Sequence, residues 1–145
     1  LRVPAMAGVT SRLGFGVTVS VAYEHPYALA RRLTTLDHLT RGRVAWNVVT
    51  SYLESAARNL GLEKQVPHDR RYDVADEFME VCYQLWEASW DDDAVLLDRE
   101  KGVYTDPAKV RPIAMASPTD FMVVVSVVSA LGNFSKLKRG ILVTT

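Results

Sequence analysis

One asparagine stands out among the side chains that could do chemistry, because it interrupts a predicted strand that is otherwise apolar. Asn47 lies in the segment 43–50, where its neighbours on the same face are small and uncharged. A side-chain amide in such a place needs hydrogen-bond partners. These are either groups of a neighbouring strand or loop, which would make Asn47 structural, or atoms of a bound ligand. We therefore treat Asn47 as a candidate ligand-binding residue.

A histidine and a tyrosine form a second candidate pair. His68 and Tyr72 are four residues apart at the start of a predicted long helix, and this spacing places both side chains on one helical face. Imidazole and phenol groups are good hydrogen-bond donors to a phosphate or to a polarised ring atom. Such pairs also arise by chance, so the spacing alone indicates a site only weakly.

Further polar residues follow the two predicted strands directly. Ligands of parallel α/β folds bind beyond the carboxyl ends of the strands. That rule selects residues 23–25 after the first strand and Thr50 and Ser51 after the second. Within the first group, His25 precedes a proline and has an alternative role as a helix cap.

The sequence indicates neither a metal site nor a cysteine nucleophile. No cluster of cysteine and histidine has the spacing of metal ligands. The three consecutive aspartates at 91–93 are typical of a solvated loop. Cys82 lies in the apolar stripe of the predicted helix 70–89, where a thiol is usually inert core.

Charge and cysteine content restrict the classes of protein that need to be considered. The 145 residues carry 17 basic and 17 acidic side chains, so the formal net charge is zero. Binding to nucleic acid requires an excess of lysine and arginine to neutralise phosphates, and no such role is expected. The single cysteine cannot form an internal disulfide. We therefore expect an intracellular, cytoplasmic protein.

The elements that must position these residues can be read from the hydrophobic periodicity. Period-two alternation predicts strands, and apolar residues at three- and four-residue steps predict helices. Two turn-flanked segments also predict a hairpin, with Gly102 in its turn. The predicted helices are 4–13, 26–42, 51–60 and 70–89, the strands are 15–23 and 43–50, and the hairpin joins 94–97 to 103–105.

This order of elements is typical of an α/β protein with a parallel sheet. Neither face of the two strands is charged, so both faces are expected to be covered. One face carries small residues, which suits either a barrel lumen or a Rossmann-type sheet. The dinucleotide fingerprint and the P-loop are both absent from the sequence.

The composition changes near Ile113, after which charged residues become sparse. We place a boundary within 112–118 and divide the chain into a first unit, 1–113, and a tail, 114–145. The longest apolar run, 121–131, has eleven residues, fewer than the roughly 20 that span a bilayer. We therefore expect no membrane segment, and interpret this run as a buried strand or helix.

Several motifs together resemble the flavin-dependent monooxygenases of the bacterial luciferase-like superfamily, within the nitrilotriacetate and dibenzothiophene-sulfone monooxygenase group. They occur in order, with family-like spacing, between residues 3 and 113. The motifs are LGFGVT at 13–18, YEHPY at 23–27, RLTTLDHLT at 32–40, GRVAWNVVTS at 42–51, SAARN at 55–59 and HDRRYD at 68–73.

The resemblance implies a (β/α)8 TIM barrel, a fold that needs about 250 residues. The 145 residues therefore correspond to a fragment of that barrel, about strands 3 and 4 with their flanking helices and an insertion hairpin. Such a fragment has an alternative outcome, in which it is catalytically inactive and folds only with a partner or not at all. Its strand edges at 15–23 and 43–50 would then be exposed and prone to association.

The resemblance also implies a cofactor and its contacts. Members of this superfamily use reduced FMN, supplied by a separate NAD(P)H:flavin reductase, and O2 to oxygenate a small organic substrate, and the full-length proteins are expected to form homo-oligomers. Asn47 would face the flavin ring, with Thr18 and Ser20 lining the ring pocket. His68 and Tyr72 would approach the ribityl-phosphate side.

Overall fold

The computed structural model describes residues 2–114 together with the backbone of two later strands. The helices are α1 (Arg2–Gly8), α2 (Pro26–Thr40), α3 (Glu54–Asn59) and α4 (His68–Tyr83). The strands are β1 (Phe15–Ser20), β2 (Val44–Val49), β3 (Val95–Asp98), β4 (Val103–Thr105), β5 (Ile113–Ala114), β6 (Val124–Val125) and β7 (Ile141–Val143). The α/β class predicted from the periodicity is confirmed.

The main sheet is parallel, with strand order β1-β2-β7. In the β1–β2 pair Thr18 lies opposite Asn47, so corresponding residues of the two strands share a face. β2 also pairs with β7 from the tail. The prediction that 43–50 forms an exposed edge is therefore wrong, because both sides of β2 are hydrogen-bonded.

β1 ends three residues earlier than the alternation predicts. The Ser20 hydroxyl oxygen accepts a hydrogen bond from the Ala22 backbone N–H at 3.3 Å, and a 3-10 turn follows over Val21–Tyr23. A serine side chain can compete in this way for backbone groups that would otherwise continue a strand. The alternation of large and small side chains therefore continues through residues 21–23, but the backbone there is a 3-10 turn and not a strand.

The helices that cover the sheet follow the predicted pattern with shifted ends. α2 closes at Gly42, whose N–H donates to the Asp37 carbonyl oxygen at 2.9 Å while Arg41 adopts a left-handed conformation, as at many helix ends. Asp37 itself is buried, although its place in the sequence lies off the apolar stripe that Leu29, Leu33 and Leu36 form. α1 stops at Gly8, where the Thr10 hydroxyl donates to the Met6 carbonyl oxygen, so the predicted continuation to residue 13 is wrong.

The later elements also match the predicted types. α4 continues through a π-helical turn, Gln84–Ala88, which reproduces the predicted helix 70–89 to within two residues. α3 begins at Glu54 rather than at Ser51, because Ser51 has a φ of 62° that no helix accepts. β3 and β4 form the predicted antiparallel hairpin, and Gly102 adopts positive φ in its turn.

The hydrophobic core lies between one face of the sheet and the helices α2 and α4. Trp46 is 1% exposed and its indole packs against Phe78 and Trp86, with ring centroids 6.1 and 6.4 Å apart. The opposite face of the sheet is not covered, since Gly16 and Thr18 are exposed. The expectation that both faces are covered is therefore wrong for the described part of the chain.

Two sequence predictions concern the tail and the membrane. The apolar run 121–131 lies outside the described residues, except for the backbone of β6. Among the described residues, no helix combines the length and the apolar character that a bilayer crossing requires.

Cys82 is expected to be unreactive while the protein is folded. Its side chain is fully buried, and burial raises the pKa of the thiol from 9.0 to about 12. Because only the thiolate reacts rapidly with disulfide reagents, native protein at pH 8 should show almost no reaction with Ellman's reagent. Protein in denaturing urea should react with one equivalent. Rapid labelling of native protein would show that this core is open.

Candidate functional site

The uncovered face of β1 and β2 is the most open surface of the sheet, and we call it the small-residue face. A Cβ added at Gly16 would meet no atom within 4 Å, so the space above the strand is empty. Thr18 is exposed and Asn47 is half-buried. The face consists of Gly16, Thr18, Ser20, Ala45, Asn47 and Val49.

Asn47 and Thr18, both predicted from the sequence, contact each other on this face. The Asn47 Nδ2 donates a hydrogen bond to the Thr18 Oγ1 at 3.2 Å, and the bond is accessible to solvent. One of the two alternatives for the amide is thus realised, since it bonds to a neighbouring strand. The same bond holds an amide and a hydroxyl side by side on the open surface, where a flat polar ligand has access to both.

Ser20, the third predicted residue of this face, has a local role as well. Its hydroxyl oxygen accepts from the Ala22 N–H and so ends β1. The side chain is half-buried at the carboxyl end of the strand. Ser20 therefore marks the edge of the small-residue face nearest the following turn.

His68 and Tyr72 share a face of α4, as their spacing predicts. Their ring centroids are 4.9 Å apart at an interplanar angle of 42°. Both rings are exposed, and the His68 Nδ1 lies 2.9 Å from the Asp69 Oδ1. Pro67 occupies the N-cap position and makes no side-chain cap hydrogen bond. The start of α4 thus presents two polar rings beside an uncapped helix terminus.

The first turn of α4 is anchored to the segment that follows β2. The Arg71 guanidinium donates a hydrogen bond to the Ser51 carbonyl oxygen. Ser51 has positive φ, a conformation that is costly for a residue with a side chain. This contact brings the His68–Tyr72 pair to the carboxyl end of the sheet, the edge at which ligands bind in such folds.

Two residues of this edge, Arg71 and Gln65, were not predicted from the sequence. Arg71 belongs to the motif HDRRYD, so its place in a motif was the available signal. Gln65 stands in a loop without periodicity, and its hydrogen bond to the Tyr23 hydroxyl spans 42 residues of chain. Local sequence patterns do not predict a contact between residues so far apart in the chain.

The remaining residues after β1 have mainly structural partners. Glu24 forms an ion pair with Arg32 of α2. His25 occupies the N-cap position of α2, in agreement with its alternative interpretation, but makes no side-chain cap hydrogen bond. Neither geometry indicates a catalytic pair.

Two of the three aspartates at 91–93 form ion pairs with cations of the same loop region. Asp91 pairs with Arg111, and the Asp93 Oδ2 lies 2.5 Å from the Lys109 Nζ. Within the described ranges, no group of three potential metal ligands converges. These side chains join the two ends of the segment that contains the β3–β4 hairpin.

The Asp93–Lys109 pair is expected to control the titration of Asp93. The hydrogen bond from Lys109 lowers the pKa of Asp93 below its ordinary 3.8. A lowered pKa means that the pair's stabilisation is present above pH 3.8 and is lost as the pH falls further. In Lys109→Met, carboxyl-carbon NMR titration should return the pKa of Asp93 to about 3.8. Lys101→Met, which removes a cation paired with Asp98 instead, should leave it unchanged. An unchanged Asp93 pKa in Lys109→Met would contradict the assigned pairing.

Comparisons with known proteins agree on one family. The sequence profile described as luciferase-like monooxygenase matches residues 3–138. The chain is 63% identical over 111 residues to dimethyl-sulfide monooxygenase of Hyphomicrobium sulfonivorans, covering 77% of this chain and 23% of that protein.

Solved structures show the same relationship. A crystal structure of a long-chain alkane monooxygenase superposes with a TM-score of 0.78 at 57% identity, over 84% of this chain and 28% of that one. A riboflavin lyase, crystallised with modified FMN and riboflavin, has a TM-score of 0.76 at 45% identity, over 84% of this chain and 27% of that one.

The matches therefore cover most of this chain and a smaller part of each relative. The chain spans about a quarter of the length of the curated relatives it matches. The profile match alone covers well over half of the 145 residues. The chain belongs to the luciferase-like monooxygenase family.

Proposed function

We propose that this chain forms part of the FMN site of a flavin-dependent monooxygenase. The observation that carries the proposal is the Asn47–Thr18 hydrogen bond on the open small-residue face. A flat tricyclic ring needs a surface without bulky side chains, and the empty space above Gly16 fits that need. An amide and a hydroxyl are suitable partners for the polar edge of the ring.

The described residues fit the other parts of FMN too. The ring would lie over β1 and β2 near Asn47, with Thr18 and Ser20 lining its pocket. The ribityl-phosphate side would approach His68 and Tyr72, where ring donors stand beside an uncapped helix N-terminus that favours an anion. When bound, the reduced flavin supplies the reaction with oxygen, and the residues of the chain orient it.

The remaining parts of the proposal rest on membership of the family. We infer that β1 and β2 correspond to strands 3 and 4 of a (β/α)8 barrel and that residues 1–113 form the barrel part, to which the tail adds β7 beside β2. Reduced FMN comes from a separate NAD(P)H:flavin reductase, O2 is the co-substrate, and a small organic molecule is oxygenated. The whole protein is proposed to act as a homo-oligomer.

Anaerobic titration of the chain with reduced FMN tests the proposal. Quenching of tryptophan fluorescence is the readout, because Trp46 lies in β2 beside Asn47. A saturable curve with one-to-one stoichiometry is the expected result. A linear, non-saturating response equal to that of free tryptophan would show that the described residues form no flavin site.

A second candidate is a non-catalytic unit that folds stably only with a partner. It is favoured by a mainly apolar cavity of about 630 Å³ that is lined by residues of α1, β1 and α2, among them Val17, Val19 and Leu36. In the described part of the chain, β1 pairs only with β2, which leaves its other edge available for pairing. Size-exclusion chromatography with light scattering distinguishes the candidates, since a compact and cooperatively unfolding monomer would argue against partner dependence.

A further inference from the structure

The side chain of Gln65 joins three segments that meet beyond the carboxyl ends of β1 and β2. Its Nε2 donates to the Tyr23 hydroxyl oxygen at 2.8 Å and lies 3.5 Å from the Leu53 carbonyl oxygen. Tyr23 belongs to the turn after β1, and Leu53 is the N-cap of α3, which follows β2. Gln65 itself lies three residues before His68, the first residue of α4. One amide therefore connects the entry of α4 to the exits of both strands.

The remaining polar groups of Gln65 are also used. Its Oε1 accepts from the Val66 N–H at 3.0 Å, and its backbone N–H donates to the Glu54 Oε2 at 3.2 Å. A primary amide has two donor hydrogens and one carbonyl oxygen, and here both ends of the side chain have partners. The residue is half-buried, so its side chain is held between the segments rather than extended into solvent.

We propose that Gln65 is a positioning residue of the flavin site, which sets the placement of the His68–Tyr72 pair relative to Asn47. The inference rests on the proposed function. A second anchor lies within α4 itself, where Arg71 bonds the first turn of the helix to Ser51, after the end of β2. With both anchors present, the loop before α4 has little freedom to shift its two rings away from the strand ends. Placement errors of about 1 Å are enough to weaken ligand contacts strongly.

The inference predicts a selective loss in Gln65→Met, which preserves side-chain length and removes its hydrogen bonds. The Kd for FMN should rise about five- to ten-fold, the equivalent of roughly one neutral hydrogen bond. The Kd for riboflavin, which lacks the phosphate, should change less, because the His68–Tyr72 pair faces the phosphate side. A merely structural role for Gln65 would weaken both ligands equally and leave their ratio unchanged.

Three further variants and one control identify the contact responsible. Tyr23→Phe removes the acceptor of the Gln65 amide and should reproduce most of the loss. The Gln65→Met/Tyr23→Phe double variant should bind FMN no more weakly than Gln65→Met alone, because both substitutions break the same hydrogen bond. Gln65→Glu should retain much of the preference for FMN over riboflavin, since the Tyr23 hydroxyl can donate a hydrogen bond to the new carboxylate. Gln84→Met, which breaks a bond to Glu80 within α4, is the matched control and should leave both affinities unchanged.

Hydrogen exchange provides a measurement that does not depend on flavin. In Gln65→Met the amides of residues 21–24, Val66 and 68–72 should exchange faster, while those of 78–85 in the core keep their rates. If the unsubstituted chain binds no flavin, the proposed function fails, and the positioning of His68 and Tyr72 for a flavin is overturned with it. If it binds flavin but the variant retains both its exchange rates and its FMN-to-riboflavin ratio, the inference alone is overturned.

Discussion

Replacing Asn47 with alanine is expected to weaken the binding of reduced FMN by about ten-fold or more. The change removes an amide that can bond to the flavin, and it frees the Thr18 hydroxyl from the partner that orients it. Loss of one to two hydrogen bonds, each contributing about 0.5–1.5 kcal/mol, accounts for an effect of this size. Equilibrium titration under anaerobic conditions is the appropriate measurement.

Two companion variants separate the roles of the amide and the hydroxyl. Thr18→Val keeps the shape of the side chain but removes the acceptor of the Asn47 amide, so a loss of about three-fold is expected. Asn47→Asp retains the size but cannot donate when ionised, and should bind as weakly as Asn47→Ala. If Asn47→Ala bound FMN with unaltered affinity, Asn47 would not contact the flavin. The chain would then have kept the family's fold without the proposed site.

Replacing Trp46 with alanine is expected to lower the free energy of unfolding by about 3–5 kcal/mol, the usual cost of deleting a buried aromatic side chain. Trp46 is 1% exposed and contacts Phe78 and Trp86. Its Nε1 also donates to the Val19 carbonyl oxygen at 3.1 Å, which links β2 to β1. Urea unfolding followed by circular dichroism measures the loss.

A milder variant separates the two contributions of the indole. Trp46→Phe retains a ring in the core but leaves the Val19 carbonyl oxygen without its donor, so it should cost less than Trp46→Ala. Both losses are expected to exceed that of Tyr52→Phe, a substitution of a highly exposed ring. A Trp46→Ala protein as stable as the unsubstituted chain would contradict the described packing between sheet and helices.

The strand β2 shows why periodic elements were predictable from the sequence. Trp46 and Asn47 lie on opposite faces because successive side chains of a strand alternate. The alternation separated a large apolar face, which is buried, from a small-residue face, but the absence of charge on the second face wrongly predicted that it is covered too. The parallel pairing with β1 followed from the intervening helix, since parallel strands need such a crossover.

The features that were missed depend on contacts between distant or competing groups. β1 ends at Ser20 because the serine hydroxyl accepts a hydrogen bond from a backbone N–H. The alternation of apolar and small residues does not predict such a bond. Gln65 meets Tyr23 across 42 residues, and Arg71 meets Ser51 across 20. The burial of Asp37 likewise depends on how α2 sits against its neighbours rather than on its own spacing.

The Asn47–Thr18 pair shows how far the candidate site was predictable. An amide on an apolar strand indicated a partner but not which one. The resemblance to a flavin-dependent family supplied Thr18 and Ser20, and the register of β1 against β2 brought Thr18 beside the amide. The position of the His68–Tyr72 pair at the same edge required the long-range anchor through Arg71.

The central claim is that FMN lies over the small-residue face of β1 and β2, and nuclear magnetic resonance of the 15N-labelled chain tests it most directly. Addition of FMN should shift the side-chain amide signals of Asn47 and the backbone amides of residues 16–20, 45–51 and 68–72. The shifts should saturate at one equivalent. Shifts confined to the cavity beside Val17, Val19 and Leu36, or no saturable shifts at all, would contradict the account.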